Sequence, residues 1–190
     1  EPSRSSEEDE WAYLPETATE ADNVNNILQR AGMRAVVRKG YAATEEAFKE
    51  MGKTGPSPRI VHVATHGFFF PDPKDTLSGK NTGPNNDPVF KISEHPMIRS
   101  GLMLAGSDYA WKTGQPLTGL EDGILTAYEI SQMNLANTEL VVLSACETGL
   151  GDLVGNEGVY GLQRAFKIAG AKYLIMSLWQ VPDFQTQVFM

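Results

Sequence analysis

Glu139-Leu140-Val141-Val142-Leu143-Ser144-Ala145-Cys146 opens on an apolar run of strand formers and ends on the chain's single cysteine. A run without polar alternation reads as a strand buried on both faces, the kind found in parallel sheets. Upstream, residues 59–65 (Arg-Ile-Val-His-Val-Ala-Thr) have the same character and stop at His66-Gly67; downstream, residues 172–177 repeat it. Helical patterns lie between these runs. One opens at Thr44 and ends near Gly52, and one spans 124–131. A third, 157–169, turns Val159, Leu162, Phe166 and Ala169 to one side before Gly170 closes it. Shorter strands are expected at 34–38 and 101–105, and a last helix opens near Asp183. Strands alternating with helices predict an α/β domain, with a mostly parallel central sheet and helices on both faces.

The ends of the chain read differently. Residues 1–14 are polar and acidic with no repeating apolar face, and are expected to be a linker or tail from an upstream region. The domain is expected over 15–190. Thr17 and Glu20 form the T-x-x-E pattern of a capping box. Ala21, Val24, Leu28 and Ala31 then share a helix face, with Gly32 as its stop. The amphipathic pattern is still running at Met190, so the domain is expected to continue past it. Residues 71–98 hold five prolines, two glycines and three asparagines without periodicity. A loop of that length is usually functional or disordered. Attached just after His66, it is well placed to shape or gate a substrate groove.

Composition removes several function classes. The chain has 190 residues, and 16 Lys+Arg against 24 Asp+Glu give a net charge of −8, which argues against phosphate neutralisation on nucleic acid. One cysteine excludes a disulfide framework and a cysteine zinc site, and suits the reducing cytoplasm. No apolar run approaches the roughly 18 residues of a membrane span.

In open parallel sheets, ligands bind outside the carboxyl ends of the strands. Two strands lead there, one into His66 and one into Cys146. A free thiol with a pKa of about 8.5 is only a few per cent thiolate at pH 7, and an imidazole beside it raises that fraction. The pair is the minimum equipment of a cysteine nucleophile and its base. The residues alone leave open a buried packing cysteine and a structural histidine. His62, inside its strand, reads as a sheet-face histidine, and His95 has no catalytic role. Gly52-Lys53-Thr54 lacks the upstream glycine of a phosphate loop, having Ala47 there. Gly149-Leu150-Gly151, continuing to Gly155, is the runner-up as a nucleotide-binding turn, but too long before its helix. Trp11, Trp111 and Trp179 read as packing residues.

Residues 61–67 (Val-His-Val-Ala-Thr-His-Gly) and 141–149 (Val-Val-Leu-Ser-Ala-Cys-Glu-Thr-Gly) resemble the two catalytic blocks of the CHAT domain. This is a family of caspase-like cysteine peptidases, found mainly in bacteria and often behind tetratricopeptide repeats. Blocks at 14–20, 96–106, 122–130, 158–166 and 175–179 are similar to the family's opening, middle strand, helices and following strand. The resemblance implies a caspase-like three-layer sandwich and a peptidase acting on specific protein targets under a fused or partner tetratricopeptide sensor. It implies His66 as general base, Cys146 as nucleophile, and the amides of Gly67 and Cys146 as oxyanion hole. It calls for no cofactor and no metal.

Caspases place their histidine about 50 residues before the cysteine; here the separation is 146 − 66 = 80, and the 71–98 loop accounts for nearly all the excess. Ser144, two residues before the nucleophile, stands where caspases carry Gln and metacaspases Asp. With Glu147 and Asp122 it is expected to contact substrate. The acidic surroundings predict rejection of Asp at P1. A second reading is a catalytically silent signalling or protein-interaction module on the same fold.

Overall fold

The computed structural model describes residues 11–70, 93–145, 157–177 and 183–189. The long loop expected at 71–98 falls mostly outside them, as do Cys146, Glu147, Trp179 and the glycine-rich turn at 149–155.

Three strands form a parallel sheet in the order β1 (Ile60–Ala64), β5 (Leu140–Ser144), β6 (Tyr173–Met176). Ile60 lies opposite Leu140 and Ala64 opposite Ser144, while Leu140 faces Tyr173 on the other side. Parity divides the side chains between two layers. Val61, Val63, Val141 and Leu143 are buried in the main core with Ile130, Leu135, Leu162, Ala165 and Phe166. The last three belong to α5 (Glu157–Ile168), which packs on α4 (Ala127–Ser131). Each such side chain removed from water stabilises the fold by about 1.5–3 kcal/mol. Ile60, His62, Ala64, Val142 and Ser144 face the other way, where α1 (Glu16–Arg30) packs on β1 and on α6 (Asp183–Phe189). Helices on both faces of a parallel sheet are the expected three-layer α/β arrangement.

A second sheet was not expected. The strand through 59–65 does not run out at His66. It ends at Ala64, and after Thr65 the chain enters β2 (His66–Phe69), antiparallel to β3 (Ser100–Met103), which pairs with β4 (Ile124–Thr126). His66 lies opposite Met103, and Met103 opposite Ile124. Gly101 permits this sheet. A Cβ there would sit 2.5 Å from the Leu125 carbonyl oxygen and 2.7 Å from the Phe68 ring.

Other elements differ from the sequence reading. Residues 34–38 form no strand: Val36 is 74% exposed, and no strand among the described residues pairs with this stretch. Between β3 and β4 lies α3 (Ser107–Thr113), bounded by Gly106 and Gly114 at positive φ. The capping box at Thr17 does not form. Pro15 stands at the N-cap, Thr17 Oγ1 donates to the Leu14 carbonyl at 2.8 Å, and Glu20 is buried instead. A capping box does occur at α4, where Thr126 and Glu129 satisfy each other's backbone amides. Thr44 caps α2 (Glu45–Lys49) by accepting from Ala47 N. α5 ends at Gly170 as its sequence predicts, with φ at 106°. Packing also begins before residue 15: Leu14 is buried, and Trp11 leans on the cluster of Phe68, Phe70, Met103, Ala110 and Ile124.

Candidate active site

The ends of β1 and β5 lie side by side. Ala64 pairs with Ser144, and Thr65 N donates to the Ser144 carbonyl at 3.2 Å. The Thr65 hydroxyl donates to the Met103 carbonyl, tying this corner to the antiparallel sheet. His66 stands two residues beyond Ala64; Ala145, the last described residue on the other strand, is buried with its carbonyl accepting from Ser177 Oγ at 3.1 Å. The predicted nucleophile Cys146 and its neighbour Glu147 follow Ala145, outside the described residues.

His66 is 7% exposed. Its Nε2 lies 2.7 Å from the Ala12 carbonyl oxygen, which only accepts, so Nε2 donates and carries the proton. In a neutral ring the lone pair is then on Nδ1, which is buried with no hydrogen-bond partner among the described residues. The Trp11 ring sits against the imidazole at 5.0 Å between centroids. A buried imidazole nitrogen with an unused lone pair can accept a proton from a neighbouring group.

Four residues earlier, His62 is arranged otherwise. Its Nε2 is 2.7 Å from Glu20 Oε1, and Ser144 Oγ donates to Glu20 Oε2 at 3.0 Å. Glu20 and Ser144 are each only 1% exposed. The side chain two positions before the predicted nucleophile is thus held by a carboxylate from α1. Gly67 lies buried in the β2–β3 ladder opposite Leu102. Asp122 caps the start of β4, its Oδ1 accepting from Ile124 N at 2.8 Å. Because His66, Met103 and Ile124 form one row across three strands about 4.8 Å apart, Asp122 stands at the same end of that sheet, about 10 Å or more from His66.

A second polar cluster ties α2, the turn before β4 and α4 together. Lys49 Nζ donates to Glu45 Oε1 at 2.7 Å, to Glu129 Oε1 at 2.8 Å and to Glu121 Oε2. Glu45 also accepts from Gly123 N at 2.9 Å. Burial raises the Glu45 pKa to about 8, against the pull of Lys49. Burial also opposes the Lys49 charge, but its three carboxylate bonds outweigh this and hold its pKa above the ordinary lysine range. For Glu129, bonds from Lys49 and Thr126 overcome burial and lower its pKa. These carboxylates converge as metal ligands do, with the Lys49 ammonium bonded to all three.

The sequence reading missed the supports of this edge. Glu20 is four residues before Val24, hence on the inward face of α1, a position that signalled burial. Trp11 is the one large aromatic next to an acidic stretch, a weaker signal.

The chain is similar to tetratricopeptide repeat protein 28 of Mus musculus and of Homo sapiens, at 28% identity over 184 residues in each case. These matches cover 94% of this chain but 7% of each relative's length. No solved structure matches it. Among the described residues, no helix is long and apolar enough to cross a membrane. The sequence pattern of the CHAT domain matches residues 2–190, and the chain belongs to that family.

Proposed function

We propose that the chain is a cysteine endopeptidase in which Cys146 is the nucleophile and His66 its general base. The observation that carries this reading is His66 Nδ1, buried and without a partner among the described residues, two residues past the end of the strand that pairs with the one leading to Cys146. Nδ1 takes the thiol proton as sulfur attacks the peptide carbonyl, and the imidazolium returns it to the leaving amine. Water then hydrolyses the acyl-enzyme through the same nitrogen. The amides of Gly67 and Cys146 are assigned to the developing oxyanion. Ser144, Glu147 and Asp122 are assigned to substrate contact, with Glu20 holding the Ser144 hydroxyl from behind. A protein or peptide is the substrate, and no cofactor is invoked. Both curated relatives carry tetratricopeptide repeats in their names, which supports control by a tetratricopeptide sensor in cis or in trans. The single cysteine and acidic charge suit the cytoplasm.

The burial of His66 beneath Trp11 favours a second reading, a catalytically silent interaction module on the same fold. Incubating the full-length protein with a peptide library separates the two. Cleavage that disappears in Cys146→Ala supports the peptidase; the same products from the Cys146→Ala protein, or none under any activating condition, leave the interaction module.

A further inference from the structure

The imidazole of His66 is gripped by the chain that leads into α1. The Ala12 carbonyl takes the Nε2 proton at 2.7 Å, and the Trp11 indole covers the ring at 5.0 Å and 53°. Trp11 is itself held: Trp111 meets it edge-on at 5.0 Å, and Trp111 stacks on Phe70 at 5.8 Å and touches the Phe68 edge at 5.7 Å. This cluster joins α3 and β2 to residues 11–12. Leu14 then buries its side chain and α1 begins, so the segment is anchored on both sides of the contact.

The contact selects one form of the ring. With the proton moved to Nδ1, the Nε2 lone pair would face the Ala12 oxygen, and a buried N–H would have no acceptor among the described residues. Neither fault arises when the proton is on Nε2. We propose that Trp11 and Ala12 are positioning residues for the base: the Ala12 carbonyl fixes the tautomer that leaves Nδ1 free, and the Trp11 indole fixes the ring plane. The catalytic consequence rests on the peptidase reading; the tautomer itself does not.

The test uses the full chain labelled with 15N-histidine, since long-range 1H–15N correlations read which ring nitrogen bears the proton, with His66→Gln to assign the signal. The wild type is expected to show the neutral His66 ring in the Nε2–H form alone. Trp11→Ala is expected to introduce the Nδ1–H form and to lower kcat about 10- to 100-fold with KM nearly unchanged, the size expected of a misplaced reacting group. Trp11→Phe, which keeps a flat ring against the imidazole, is expected to recover most of both. A wild-type ring already in mixed tautomers overturns the role of Ala12. A Trp11→Ala protein with the wild-type spectrum and kcat overturns that of Trp11; if that variant does not fold, Trp11→Leu makes the same comparison. If the wild type cleaves no peptide, the peptidase reading fails while the spectra still decide the positioning claim.

Discussion

His62 and His66 lie four residues apart, on strands joined by a single residue, yet the fold treats them in opposite ways. His62 meets a buried carboxylate, whose second oxygen holds Ser144, and the three side chains lock α1 to β1 and β5. His66 meets a neutral carbonyl at one nitrogen, and the other has no partner among the described residues. The difference teaches that position decides what each histidine can do: the His62–Glu20 pair spans α1, β1 and β5, whereas His66 stands where β1 and β5 end, its Nδ1 without a partner among the described residues.

The sharpest way to break the contrast is to remove each imidazole. His66→Ala is expected to lower peptide cleavage about 10²- to 10⁴-fold, the range for loss of a general base, while thermal unfolding changes little. His62→Ala is expected to do the reverse, with a clear fall in melting temperature and activity within about tenfold when assayed well below it. Equal losses of activity in the two variants would erase the distinction.

The brace can be weighed from its other side. Glu20→Ala removes the carboxylate that holds the half-buried His62 and the buried Ser144 hydroxyl, and is expected to cost about 2–4 kcal/mol in urea unfolding. Glu20→Gln keeps an acceptor and is expected to cost about 1 kcal/mol. A Glu20→Ala protein as stable as the wild type would show that the three side chains brace nothing.

Specificity sharpens the contrast in another register. Ser144 supplies no charge, and Glu147, Asp152 and Glu157 make this stretch of sequence acidic, so a P1 aspartate would meet like charge. A peptide library is expected to be cut after uncharged or basic residues at least about tenfold faster than after Asp, a margin of roughly 1.4 kcal/mol. Efficient cleavage after Asp would reject this account of Ser144.

The smallest effect on cleavage belongs to Glu45, a buried carboxyl in the cluster around Lys49 rather than at either histidine. Its folded pKa of about 8 lies above the ordinary 4.5, so its contribution is fully present below pH 4.5 and is lost as pH rises to about 8. Glu45→Gln keeps an acceptor for Gly123 N and removes the proton. The melting-temperature difference between wild type and Glu45→Gln should therefore move against the wild type between pH 5 and pH 8. A difference independent of pH would mean that Glu45 does not titrate in this window.

Much of the sheet was legible because its signal is local. The apolar run at 140–144 has no amphipathic alternative, and the 3.6-residue repeat of Leu162, Phe166 and Ala169 predicts the face that is buried. The failures share another cause. Val36 and Val37 have strand propensity, but a strand exists only where a neighbour supplies the ladder, and these residues stay exposed. α3 is seven residues long, too short for periodicity to reveal. Glu20 fits a capping box and a core position equally well in sequence; only the placement of His62 and Ser144 beneath α1 decides. The edge that carries His66 could be read from strand ends, but its hold on Ala12 could not, since a backbone carbonyl leaves no mark on the sequence.

The register of β1 on β5 also sets an order of events during synthesis. Ile60 pairs with Leu140, 80 positions later, whereas Leu140 pairs with Tyr173 after only 33. At a translation rate of roughly 5–20 residues per second, β1 waits about 4–16 s for its neighbour to be made. During that interval its apolar face and its backbone edge toward β5 are unpaired, which makes the nascent chain a client for whatever shields hydrophobic segments at the ribosome. The same delay is a safeguard. His66 is made long before the strand beside it, so the edge where the two strands end cannot assemble on a partly synthesised chain.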